Sequence, residues 1–383
     1  MSLYLDYNAS APIEPRVIDV MMDVYTNVIG NPDSRTHEFG DNARRRVEDA
    51  RKKVASLLGI NSDEVFFTSG ATESNNIAIQ GLYDYGVEEN KKGIVTTTIE
   101  HKAVLETAKV MGKRGFKLDL VSPGRDGRVD VADILNCVDS KTLLVSVMHV
   151  NNETGVIQPV DEIGKALKKQ KILFHVDATQ SCGKLVDEIK ELDYNMLSFS
   201  AHKLRGPQGI GVLVLRKDNY KLPPIKPIMF GGQQEHGISP GTVPVALISG
   251  LGVACEIAEK EYKENNKKNK ELQHALIEML EASGLKYRIN GDLNHIISNT
   301  LNVSLEGVSS EALMIATKTF CGISNGSACT SNSYAPSYVL DSMGIDREII
   351  ENAIRISWGS GTSLKEFIES IRNLIETAKN MVF

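Results

Sequence analysis

SFSAHKLRGPQG, residues 198–209, joins an apolar run to a glycine-rich turn through His202 and Lys203. The run 196–200 has the composition of a buried strand, so the lysine falls just past a strand's carboxyl end. Open α/β sheets bind their ligands at those ends. A lysine there is placed to act as a nucleophile, although an ordinary surface lysine has the same local sequence.

The same kind of apolar run recurs at 65–68, 94–98, 117–121, 143–150, 172–177 and 210–215. These runs are β-branched and nearly continuous, as parallel strands are when helices cover both faces. Between them the spacing is helical; Ala78, Leu82 and Tyr85 recur at four and three after Thr72. The alternation predicts a large α/β domain with a mostly parallel sheet. Near residue 256 the composition turns charged, in EIAEKEYKENNKKNKELQHALIEML, which reads as a long solvated helix. Beyond Gly284 follow a strand-like NTLNVSL, a helix-like SSEALMIATKTF and a C-terminal helix. The expected division is a large domain over 15–255, with 1–14 and 256–383 forming a smaller α+β domain.

With 383 residues and 42 % apolar content, the chain can build a substantial core, which excludes a disordered protein. Its 43 basic and 49 acidic side chains leave a net charge of −6. That argues against nucleic-acid binding through bulk positive charge. No run is long and apolar enough for a membrane span, and the first residues lack a signal-peptide pattern, so a cytoplasmic protein without direct membrane binding is expected. Five cysteines without a CxxC pair suggest neither a disulfide framework nor a structural metal site.

Three further features join Lys203. Asp177, in FHVDATQS, sits at the end of an apolar strand. Burying it calls for a partner, which a helix N-terminus or a protonated pyridine nitrogen could supply. FTSGATESNN, 67–76, runs from a strand through small residues into a helix, either a phosphate cradle or a capped loop. His101, in TTIEHKAV, again follows a strand, as a structural or a catalytic imidazole. A Schiff-base lysine, an acid for a ring nitrogen and a phosphate cup together make a pyridoxal 5′-phosphate site. The step from Asp177 to Lys203 spans one strand–connection–strand passage, enough to bring both to one sheet edge.

At this level the chain resembles the class V, fold-type-I pyridoxal phosphate enzymes, and among them the cysteine desulfurases of NifS/IscS type. The resemblance runs from LYLDYNASAP (3–12) and NPDSRTH (31–37) through TSGATESNN, EHKAV, MHVNNETG (148–155), HVDATQS and SAHKLRGPQG to SNGSACTS (324–331) and IRISWG (354–359). It implies that Lys203 holds the cofactor and shuttles the α-proton, that Asp177 pairs with the ring nitrogen, and that His101 stacks on the ring and takes part in proton transfer. Asn152 and Gln180 would lie near the substrate and the cofactor's phenolic oxygen. Ala71, Thr72, Ser200 and His202 would hold the phosphate, and Arg355 the substrate carboxylate, to which a guanidinium is suited. Thr242 would reach the phosphate of a second subunit, which implies a homodimer.

Cys329 distinguishes this reaction from transamination by an aminotransferase of the same fold; a selenocysteine lyase is the nearest variant. It lies in SNGSACTSNSYAPSYVL, whose small polar residues predict an exposed, mobile loop over about 324–336. The resemblance gives it the persulfide formed from L-cysteine, for delivery to an acceptor protein in iron–sulfur assembly, tRNA thiolation or DNA phosphorothioation; it would ligate a metal cluster only transiently. Cys321, Cys137, Cys182 and Cys255 read as packing residues. The pattern departs at Ser239, where the family has an arginine, and at Arg205 and Gln208, where it has an aromatic and a second lysine. The short stretch after Arg355 and the sequence PGTVP resemble the DndA-like desulfurases.

Overall fold

The computed structural model describes residues 2–326 and 336–382. In chain order its strands are β1 (Leu3–Tyr4), β2 (Val65–Thr68), β3 (Gly93–Thr97), β4 (Lys117–Val121), β5 (Thr142–Met148), β6 (Leu173–Asp177), β7 (Met196–Ser200), β8 (Gly211–Leu215), β9 (Tyr287–Ile289), β10 (Thr300–Leu305), β11 (Cys321–Gly322) and β12 (Ala353–Ser357). Strands β2 to β8 form one sheet in the order β2-β8-β7-β6-β5-β3-β4. Apart from Leu173 in β6 its inner strands are buried throughout, as in TLLVSVM of β5, while β4 at the edge leaves Lys117 and Leu120 exposed. The crossovers between β3 and β7 are helical, and these strands pair in parallel.

The apolar run that becomes β8 differs from a parallel strand in direction. It pairs antiparallel with both β7 and β2. A parallel return needs a dozen or more residues, usually a helix. Only the tight segment 201–210 separates β7 from β8, so the chain folds straight back and leaves Lys203 in the bend.

A second core gathers Leu5, β10, β12, Trp358, Phe367 and Ile371. One 37-residue helix, Val245–Glu281, serves both cores. Its first turns bury Ile248, Leu251 and Cys255 in the large core, and its last turns bury Leu272, Leu276 and Leu280 in the second. The helix starts eleven residues before the charged run because VALISGLGVAC, although apolar and glycine-containing, is helical and buried. Position 256 thus lies inside a continuous helix. The first residues join the second core, since β1 pairs with β11 and Leu5 is fully buried. No helix among the described residues is long and apolar enough to cross a membrane.

The long helix lies close against the helix Glu38–Leu58, and Gly252 permits the approach. A Cβ there would stand 2.6 Å from the Ala50 Cα and 2.7 Å from its Cβ. Substituting Gly252→Val should therefore destabilise the chain by about 1–3 kcal/mol through overpacking. The midpoint of urea unfolding measures this, and a variant as stable as the wild type would show that the helices separate freely.

Candidate active site

The carboxyl ends of five strands converge on one cavity of about 470 Å³. β6 delivers Asp177, with Gln180 one turn later; β7 delivers Ser200 and, through a 3-10 turn, His202 and Lys203. β2 leads through Ser69 and Gly70 to Ala71 and Thr72, which open the helix Ala71–Gln80. β3 leads to His101, the N-cap of the helix Lys102–Lys113, and β5 to Asn152. Arg355 reaches the same cavity from β12. Thr242 is exposed and does not line it. Cys329 lies outside the described residues.

Asp177 is almost fully buried. Its Oδ1 accepts from the Thr179 amide at 2.9 Å and its Oδ2 from Asn75 Nδ2 at 2.8 Å. Neutral donors orient the carboxylate but leave a buried anion short of positive charge, which a protonated ring nitrogen would supply. His101 Nδ1 accepts from the Ala103 amide at 3.1 Å, so Nε2 carries the proton. Burial lowers the proton affinity of His101, against the pull of Asp177. His202 is pushed down to about 4 by burial and by Lys203, and its Nδ1 lies 3.2 Å from Ser10 Oγ. Lys203 Nζ donates to the carbonyls of Asn8 and, at 2.7 Å, Ala9.

Arg355 is 1 % exposed. It donates from NH1 to the Asn152 carbonyl at 2.8 Å and from NH2 to Asp6 Oδ1 at 2.5 Å. Its Nε is buried without a partner among the described residues, as are Asn152 Oδ1, Thr179 Oγ1 and Asn75 Oδ1.

The cavity fits a phosphorylated pyridine aldehyde. A primary amine, a carboxylate and a helix N-terminus stand around it, and polar atoms in its wall lack partners. The cradle is shaped by small residues: a Cβ at Gly211 would come within 2.6 Å of the Gly70 backbone. Ser200 Oγ, beside Gly70, and the first amides of the helix Ala71–Gln80 can take the phosphate.

Several residues of the site escaped the sequence reading. Asp6 and Asn8 lie in LYLDYNASAP, where nothing local hints that one holds Arg355 and the other Lys203. Asn75 carried a usable signal, since it falls one turn past the cradle on the face of the helix turned to the sheet. Ser239 donates to Glu73 Oε1 at 2.8 Å, tying its loop to the helix that forms the cradle. Arg205 pairs with Glu14 at 2.8 Å, and Gln208 Nε2 donates to Ser10 at 3.2 Å. The described cysteines are poor nucleophiles: Cys182, Cys255 and Cys321 are buried and burial raises their thiols, that of Cys321 to about 11, while Cys137 is raised more mildly by the same cause. Among the described residues no group of His, Cys, Asp and Glu is placed to hold a metal ion.

A profile of the class-V aminotransferases matches residues 3–366, and the chain belongs to that family of pyridoxal phosphate enzymes. Within it the chain falls among the cysteine desulfurases. It is 41 % identical over 382 residues to a probable mitochondrial cysteine desulfurase of Dictyostelium discoideum, covering 99 % of this chain and 84 % of that one. Its fold matches a NifS-like protein with a TM-score of 0.91 at 37 % identity, over 99 % of this chain and all of the other. DndA from Streptomyces lividans matches with a TM-score of 0.81 at 40 % identity, over 91 % and 97 % of the two chains.

Beneath the site, Glu100 Oε1 accepts from Thr97 Oγ1 at 2.7 Å and from the Met148 amide at 2.9 Å, while Oε2 has no partner among the described residues. Burial pushes this carboxyl up from 4.5 to about 8. The folded chain then keeps a proton that the unfolded chain sheds above about pH 4.5, so this group's contribution to stability falls as pH rises from there toward 8. Glu100→Gln should remove that loss, gaining on the wild type by about 1.4 kcal/mol per pH unit across the window. Urea unfolding of both proteins at pH 5, 6, 7 and 8 measures it; a difference independent of pH would mean that Glu100 is ionised in the folded chain.

Proposed function

We propose that the chain converts L-cysteine to L-alanine, keeps the sulfur as a persulfide on Cys329, passes it to an acceptor protein, and works as a homodimer. The observation that carries this reading is the convergence of Lys203, Asp177, His101 and Arg355 on one cavity. Pyridoxal phosphate bound there supplies an electron sink for charge at the substrate α-carbon.

The chain's own groups do the rest. Arg355, pre-oriented by Asp6 and the Asn152 carbonyl, takes the substrate carboxylate. Lys203 Nζ lifts the proton from the α-carbon. Asp177, its two oxygens fixed by Asn75 and Thr179, would pair with the ring nitrogen. His101, neutral with its proton on Nε2, is available for proton transfer. The Cys329 thiolate attacks the substrate sulfur; the S–S bond forms as the Cβ–S bond breaks, and a proton delivered to Cβ completes alanine. Cys329–SH and cysteine thus become Cys329–S–SH and alanine. The raised thiols of the described cysteines favour Cys329 for this role.

A helical stripe supports the dimer. On the helix Pro15–Asn27, Ile18, Met22 and Tyr25 are exposed at spacings of four and three, and Ile29, two residues past its end, is 76 % exposed. Such a row is more apolar than a solvent face requires and suits a second copy of the chain. Thr242, exposed and outside its own chain's cavity, is free to serve the partner's.

Brief exposure of the holoenzyme to L-cysteine without reductant should add one sulfur to the Cys329 peptide and release alanine, as mass spectrometry reads directly. Cys329→Ser should still shift the cofactor's absorption with cysteine but form no persulfide. An unmodified Cys329 in a cofactor-loaded protein that consumes cysteine would overturn the mechanism. The double substitution Met22→Asp, Tyr25→Asp should convert the dimer to monomer in sedimentation analysis, and an unchanged mass would place the interface elsewhere.

A further inference from the structure

Lys203 stands between two cavities. The second, of about 70 Å³, is walled by Tyr7, Lys184, Asn269, Asn299 and Trp358 on the side away from Asp177. It has room for a few water molecules, and the Oδ1 atoms of Asn269 and Asn299 are buried without partners among the described residues. Lys184 is the unexplained group here. Its Nζ donates to Gln180, to the backbone carbonyl at 2.9 Å and to the side-chain Oε1 at 3.4 Å. Asn266, on the long helix, holds the Lys184 carbonyl at 2.8 Å.

Gln180 is pinned from its other end as well. Its Nε2 donates at 3.0 Å to the Asn8 carbonyl, the same oxygen that accepts from Lys203 Nζ. An amine with N–H groups faces the amide oxygen and a carbonyl faces the amide nitrogen, so the two ends admit one orientation. The oxygen turns to Lys184 and the NH2 group turns to the cavity containing Lys203 and Asp177. An apolar side chain at 184 would leave the amide held through Nε2 alone, with no donor to keep its oxygen turned away from that cavity.

Resting on the assignment of the larger cavity to pyridoxal phosphate, we propose that Lys184 is a positioning residue that fixes the Gln180 amide with its NH2 group toward the bound ring, as a donor for the ring's oxyanion. Burial, and then the charge on Lys203, push the Lys184 amine down to about 7. Either protonation state keeps N–H groups for Gln180, so the orientation survives the titration. The groups facing Lys184 are Lys203 and Arg205 from the turn after β7, Cys182 from its own turn, and Glu14 and Tyr7 from the N-terminal segment. The long helix contributes only asparagine amides to that wall among its polar groups, and Glu14 is engaged by Arg205 and Arg16.

The test is a double-mutant cycle on the full-length protein. The dissociation constant for pyridoxal phosphate and the pH midpoint of the bound cofactor's visible absorption are measured for the wild type, K184M, K184R, Q180A and K184M/Q180A. Loss of an oriented hydrogen bond to a charged oxygen predicts about tenfold weaker cofactor binding and a shifted midpoint in K184M. K184R, which retains the donors, should stay within about threefold of the wild type. In the Q180A background K184M should add less than about twofold, because Lys184 acts through Gln180. An effect of equal size with and without Gln180 overturns the proposal, as does a K184M protein that binds like the wild type. Urea unfolding of the apoproteins separates a structural lysine, which would lower stability and binding alike in both backgrounds. A wild-type chain that takes up no pyridoxal phosphate would overturn the assignment of the cavity itself, before any variant is compared.

Discussion

A carboxylate buried at the end of a strand and held by neutral donors is an unfavourable arrangement until a cation arrives. Asp177 is in that position, and much of the molecule serves to keep it there. Asn75 comes from the helix after the cradle and the Thr179 amide from the turn after β6, so both the phosphate side and the ring side of the pocket fix the same two oxygens. Parallel pairing of β6 with β7 sets Asp177 against Ser198, which puts the bend carrying Lys203 beside it. Asp177 and Lys203 are thus placed by one register.

The strand ends were legible because a residue type out of keeping with its surroundings stands out. An aspartate closing FHVD, or a lysine after SFSAH, is costly where it sits unless chemistry needs it. The strands themselves were readable from continuous β-branched runs, and only the direction of β8 differed, being set by the length of a connector rather than by composition. Tertiary partnerships were a different matter. Asp6 meets Arg355 across 349 residues, and Asn8 meets Lys203 and Gln180 across 195 and 172, and no spacing encodes such a pair. Ser239, which looked like a missing arginine, is tied to Glu73 instead, a contact visible only once the loop is laid against the helix. The buried start of the long helix was hidden by its glycines, which allow close packing there rather than breaking the helix.

That helix also explains how two cores stay in fixed relation. A continuous rod with apolar patches at both ends carries the large core's Leu251 and the second core's Leu276 on one body. Between the patches its wall of asparagines borders the cavity behind Lys203. Arg355, on β12, belongs to the second core's sheet, whereas Asp177, and Lys203 just past β7, belong to the first sheet. In the proposed mechanism, substrate recognition and cofactor chemistry therefore come from separate sheets that meet across the pocket.

The N-terminal strand gives this arrangement an order in time. β1 finds its partner at β11, Asp6 its partner at Arg355, and the Asn8 and Ala9 carbonyls take up Lys203. Asp6 thus waits for a partner made 349 residues later. The seven-stranded sheet can form while the chain is still being extended, since its strands end at Leu215. The pocket cannot close until β12 has emerged. A nascent chain would hold a folded sheet and an open, unassembled site, so Lys203 and Arg355 face one pocket only after β12 has been made.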